Sequence, residues 1–111
     1  MNQPASNWVK VCKTSDFGGM NKLKYEVGGI EILIIRQAGN YYALRNHCTH
    51  LGKSLEKGRI MGGQITCPYH GACFDIVTGR AISGPAVFPL ATFPVKTEGQ
   101  NILVDVAGLG V

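Results

Sequence analysis

Lys22-Leu-Lys-Tyr-Glu-Val-Gly28-Gly29-Ile-Glu-Ile-Leu-Ile-Ile-Arg36 reads as two extended arms joined by a diglycine. Strand-forming runs separated by Gly-Gly are a strong hairpin signal, because the tight turns that match strand twist need positive φ. Ile30, Ile32 and Ile34 then share one face of the second arm. Working outward, Ala38-Gly39-Asn40 turns the chain into a strand at Tyr41–Arg45, and Trp8–Cys12 reads as a first strand. Downstream, Gly62-Gly63 precedes Gln64–Thr66, and Phe74–Val77 and Arg80–Ile82 flank Thr78-Gly79. Phe93–Thr97 and Asn101–Val106 flank Glu98-Gly99-Gln100. No segment keeps a helical period over ten residues, and Ser54–Lys57 has room for one turn at most. The pattern predicts an all-β fold, a small sandwich or barrel in a single domain over residues 1–111.

Two stretches fit strands badly, 46–63 and 67–72, and both contain Cys and His. They read Cys48-Thr49-His50-Leu51-Gly52 and Cys67-Pro68-Tyr69-His70-Gly71. Each offers one soft thiolate and one imidazole on a loop, so two such loops side by side supply four ligands around one point. Two metal chemistries use that set. A structural zinc takes two Cys and two His in a tetrahedron. A two-iron, two-sulfur cluster takes both Cys on one iron and both His on the other. Common zinc sites pair Cys with Cys and His with His along the chain. Here each loop mixes the types, which suits a cluster whose irons must both be reached from both loops.

Composition bounds the alternatives. The 111 residues are 45% hydrophobic and 16% charged, which is a folded composition. The formal charge of +4 comes from basic residues spread between Lys10 and Lys96, with a loose group at Arg45, Lys53, Lys57 and Arg59. Aromatic residues do not interleave with a basic run, so the charge suits an acidic protein partner better than a nucleic acid. The start, Met1 to Asn7, has neither a basic nor an apolar region, and the apolar run Ile30–Ile35 is far shorter than the roughly 18–20 residues of a membrane span. A soluble cytoplasmic protein is expected, with no membrane contact. In that compartment the four cysteines suit metal binding or free thiols better than disulfides.

The two boxes, followed by Phe74-Asp75, resemble the cluster-binding boxes of Rieske proteins, and Ser83-Gly84-Pro85 resembles that family's proline loop. The resemblance extends over almost the whole chain. It implies one Rieske-type 2Fe-2S cluster on Cys48, His50, Cys67 and His70, with cluster-binding loops over about 46–72 and the proline loop over about 83–86. Respiratory Rieske proteins add a cysteine to each box and place a serine and a tyrosine beside the cluster. The matching positions here are Lys53, Tyr69, Ala72 and Phe74, so the extra disulfide and both hydroxyls are missing. Fewer donors to the cluster imply a potential at the low end of the Rieske range of about −150 to +300 mV. The chain therefore resembles the low-potential ferredoxins of bacterial ring-hydroxylating oxygenase systems.

That resemblance implies a one-electron carrier without an activity of its own. Its expected partners are a flavin-containing NAD(P)H-dependent reductase and a terminal oxygenase. The alternative is a small electron-transfer or regulatory subunit of a larger oxidoreductase such as nitrite reductase, many of whose relatives lack the ligands kept here. His47, Cys73, Cys12 and Trp8 fall outside the ligand pattern and read as loop or packing residues. Gly52 and Gly71 allow close backbone approach to the cluster sulfurs.

Overall fold

The computed structural model describes residues 6–47, 54–69, 71–83 and 88–107. In chain order the strands are β1 (Trp8–Lys13), β2 (Lys22–Val27), β3 (Ile30–Gln37), β4 (Asn40–Arg45), β5 (Arg59–Met61), β6 (Gln64–Thr66), β7 (Cys73–Asp75), β8 (Ala81–Ser83), β9 (Thr92–Phe93), β10 (Val95–Glu98) and β11 (Asn101–Asp105). A 3-10 turn, Thr14–Phe17, follows β1 and buries Phe17. The strands form three antiparallel sheets, ordered β1-β11-β10, β2-β3-β4-β9 and β5-β6-β7-β8.

The diglycine hairpin forms as its sequence predicts, with Lys22 opposite Ile35 and Val27 opposite Ile30. The expected isoleucine face is there, and so is a second apolar face. Ile32 and Ile34 pack with Cys12, Phe17, Ala43, Ile102 and Val104 toward the β1-β11-β10 sheet. Leu33 and Ile35 pack with Leu44, Leu55, Ile65, Phe74 and Ile76 toward the β5–β8 sheet. Because β3 is covered on both sides, its apolar run is continuous instead of alternating. The β2-β3-β4-β9 sheet is thus the middle layer between two cores. Cys12 lies in the first core, as a packing residue. Burial pushes its thiol above the ordinary value, and burial also pushes its hydrogen-bond partner Tyr25 up to about 12.

Two expectations are corrected. Phe93–Thr97 is not one strand. Pro94, which has no N–H to give a ladder, separates β9 in the middle sheet from β10 in the outer sheet. The stretch 46–63 is not all loop, because Arg59–Met61 pairs with β6 as an edge strand. Ser54–Lys57 holds a turn, closed by the Gly58 N–H donating to the Leu55 carbonyl at 2.8 Å.

The middle sheet also sets where the site-bearing part attaches. β4 and β9 pair through Ala43 opposite Phe93 and Leu44 opposite Thr92, and the Arg45 N–H donates to the Ala91 carbonyl at 2.9 Å. Residues 46–90 therefore leave and re-enter the sheet at one hydrogen-bonded neck. Gly79 fastens this excursion from inside. Its carbonyl accepts from the Leu90 N–H at 2.7 Å, and its N–H donates to the Asp75 carbonyl at 2.8 Å. Its φ is +77°, and a Cβ there would collide with the Leu90 carbonyl oxygen and sit 2.9 Å from Thr92 Cγ2. Only glycine satisfies both constraints. Among the described residues no helix is long and apolar enough to cross a membrane.

Candidate metal centre

Of the four sequence-predicted ligands, Cys67 lies among the described residues; Cys48, His50 and His70 lie outside them, as do Leu51, Gly52, Lys53 and Pro85. Cys67 sits where β6 runs into β7. Ile65 stands opposite Phe74 and Thr66 opposite Cys73, and beyond these pairs the Cys67 N–H donates to the Ala72 carbonyl at 2.7 Å. The Gly71 N–H returns to the Cys67 carbonyl at 3.1 Å, with Gly71 at φ +76°. These bonds fix the backbone at Cys67 and Gly71, the two ends of the second box.

Strand alternation then sorts the cysteines. Ile65, Cys67, Ala72 and Phe74 all join the core under the middle sheet. Thr66 and Cys73 occupy the alternate positions and so face the other way. The Cys73 sulfur lies 3.2 Å from the Thr66 hydroxyl and 3.6 Å from the Gly71 carbonyl oxygen. Cys73 is therefore on the opposite face of the hairpin from Cys67. His47 is exposed, and its N–H donates to the Arg45 carbonyl at 2.9 Å.

On either side of the first box, the described chain runs from β4 to His47 and resumes at Ser54 and Leu55. Leu55 is fully buried in the same core as Cys67, Ala72 and Phe74. The roots of the two loops thus converge on one apolar floor. That convergence, together with a thiol donor held at the hairpin end, fits a cluster bridging the loops. When bound, such a cluster supplies a one-electron couple. Ala72 and Phe74 beside Cys67 offer carbon only, so neither residue can donate a hydroxyl to it. Among the described residues no three His, Cys, Asp or Glu side chains gather into a metal site.

One residue of the site escaped sequence reasoning. Asn46, two positions before Cys48, is 3% exposed and is the one buried polar residue among those described. Its Nδ2 donates to Glu31 Oε1 at 3.2 Å and to Ser54 Oγ at 3.0 Å. Its Oδ1 accepts from the Leu55 N–H at 2.7 Å and from the Ser54 hydroxyl at 3.3 Å. Nothing in the sequence distinguishes it from an ordinary loop asparagine. On the outer side, an open cleft of ≈ 610 Å³ is lined by Lys57, Arg59, Met61, Gln64, Cys67 and Pro68, among others. The second box is therefore flanked by positive charge and exposed apolar surface.

With this geometry in place, the likenesses to known proteins are specific. Residues 7–94 match the family model of the Rieske [2Fe-2S] domain. The chain is 35% identical over 100 residues to the ferredoxin component of biphenyl 2,3-dioxygenase from Rhodococcus jostii (strain RHA1), covering 90% of this chain and 94% of that one. Its fold superposes on the ferredoxin of carbazole 1,9a-dioxygenase from Nocardioides aromaticivorans IC177 with a TM-score of 0.84 at 29% identity, covering 90% of this chain and 98% of that one. It is also similar, with a TM-score of 0.80 at 33% identity over 94% of both chains, to a solved complex of reduced oxygenase and oxidized ferredoxin in carbazole 1,9a-dioxygenase.

Proposed function

Because the chain belongs to the Rieske [2Fe-2S] domain family, we propose that Cys48, His50, Cys67 and His70 together hold one such cluster, within a single domain over 1–111. The chain is a ferredoxin component of a ring-hydroxylating dioxygenase system. It carries electrons to the terminal oxygenase and transforms no substrate itself. The finer assignment is that it receives each electron from a flavin-containing NAD(P)H-dependent reductase in the cytoplasm. The observation that carries the ligand reading is the shared apolar floor under both loop roots, where Leu55 of the first box packs in one core with Cys67 of the second.

Charge gives the docking its sign. The net +4, and Lys57 and Arg59 beside the Cys67 loop, favour a partner face rich in carboxylates. Such an encounter is transient, with a small interface of under about 1,200 Å² in total. The test is direct. The purified holoprotein should be red-brown, bleach on reduction and contain two irons and two inorganic sulfides per chain. Reduced protein mixed with a ring-hydroxylating oxygenase should be reoxidised by it. A colourless protein carrying zinc would end the proposal.

A further inference from the structure

We infer that Asn46 is a clamp that closes the first ligand loop and so positions Cys48 and His50. The inference rests on the ligand reading above and goes beyond it, since Asn46 is not one of the four proposed ligands and acts on them through the backbone.

The geometry carries the argument. Residues 47–53 lie between Asn46 and Ser54, and the Asn46 carboxamide bonds the far end of that loop through Ser54 Oγ and the Leu55 N–H. The near end is tied to the middle sheet twice. The Asn46 N–H donates to the Glu31 carbonyl at 2.9 Å, and its Nδ2 donates to Glu31 Oε1. One side chain therefore pins both ends of the loop to each other and to a strand. The position demands an amide, because it must donate toward Glu31 and accept from Leu55. A buried amide without partners is unfavourable, and here both of its polar atoms are bonded. Ligands on a loop hold a metal group well only when the supporting bonds fix the backbone to within about 0.5 Å. Cys48 follows the clamp by two positions, and His50 precedes Ser54 by four.

The experiment compares four holoprotein variants with wild type: Asn46→Ala, Asn46→Asp, Asn46→Asp with Glu31→Gln, and Val104→Ala. Val104 is buried in the other core and serves as a stability control. The readouts are the rate of cluster loss to a ferrous chelator, followed by colour, and the electron paramagnetic resonance line shape of the reduced protein. Asn46→Ala should lose its cluster about tenfold faster than wild type and show a changed line shape, since the buried Leu55 N–H and the half-buried Ser54 hydroxyl lose their partner. Val104→Ala should match wild type in both, however much its melting midpoint falls. Asn46→Asp keeps the acceptor for Leu55 but sets a carboxylate against Glu31, and should also lose the cluster fast. In the double variant the amide introduced at position 31 can donate to the carboxylate introduced at position 46, so most of the retention should return. If Asn46→Ala does not fold, the Asp pair decides alone. Retention in Asn46→Ala equal to that in Val104→Ala, or no recovery in the double variant, overturns the clamp. A wild-type chain that takes up no cluster removes the ligand reading instead.

Discussion

Replacing Gly79 with alanine isolates the contact that fastens the site-bearing excursion. Two costs add there. An L-residue in the left-handed region costs about 1–2 kcal/mol, and the Cβ must displace the Leu90 carbonyl it would strike, an overpacking of about 1–3 kcal/mol. Gly99 supplies the control, because its φ of +60° carries the first cost while its Cβ would meet nothing within 4 Å among the described residues. The stiffening of the unfolded chain by alanine is common to both and cancels. Gly79→Ala should therefore cost about 1–3 kcal/mol more than Gly99→Ala. With an unfolding entropy of about 2.1 cal/mol/K per residue over 111 residues, that excess lowers the melting midpoint by roughly 4–13 °C. The assay is thermal unfolding of both holoproteins at one scan rate. Equal losses would refute the claim that close approach to Leu90, and not φ alone, requires glycine at 79.

Three further outcomes follow from the same geometry. Cys67→Ser should yield a colourless protein while Cys73→Ser stays coloured, because the two thiols face opposite sides of the β6–β7 hairpin; iron analysis with the visible spectrum checks this. Ala72→Ser and Phe74→Tyr each add a hydroxyl on the Cys67 face, and each should raise the reduction potential by on the order of 50 mV, from a tenfold shift at 59 mV and hydrogen bonds that favour the more negative reduced state. Protein-film voltammetry reads the shift, and an unchanged potential in the double variant counts against the placement. Asp75 Oδ1 accepts the N–H groups of Thr78 at 2.9 Å and Val77 at 2.8 Å, which hold its carboxyl below the ordinary 3.8. A depressed folded-state value means stability fully present above pH 3.8 and lost progressively as pH falls from there through the lower folded-state value. Asp75→Asn should accordingly lower the melting midpoint at pH 7, with the gap to wild type closing below about pH 4.

The strands with loud local signals were legible from sequence. Gly28-Gly29 marked the first hairpin, and Thr78-Gly79 marked the turn into β8. What escaped was set by tertiary context. Arg59–Met61 is three residues long and its exposed face carries an arginine and an apolar methionine, so no polar–apolar alternation in the letters announced it. The run through Pro94 looked like one strand because chain-local pattern does not record which sheet a residue joins. The second apolar face of β3 was present in the letters but took meaning only from the core beneath it. At the site, the residue types and spacing named the chemistry, and alternation in β6 and β7 turns Cys73 away from the face that Cys67 occupies. Asn46 could not be singled out, because its role consists of bonds to Glu31, Ser54 and Leu55 that only folding brings together.

The single neck between Arg45 and Ala91 makes residues 46–90 a socket plugged into a sandwich. The β1-β11-β10 layer does not depend on it, since β4 and β9 pair directly across the opening and the core beneath that layer contains none of residues 46–90. Changes of length or sequence beyond the neck need not propagate into β1, β10 or β11, whose core does not include them. The same separation makes the socket portable. A different set of loops could be grafted onto the β5–β8 strands, altering potential and partner while Leu55, Ile65, Phe74 and Ile76 keep covering Leu33, Ile35 and Leu44. A protein built this way divides its evolution in two: the half that must stay still to stay folded, and the half free to be retuned to whichever oxidant it serves.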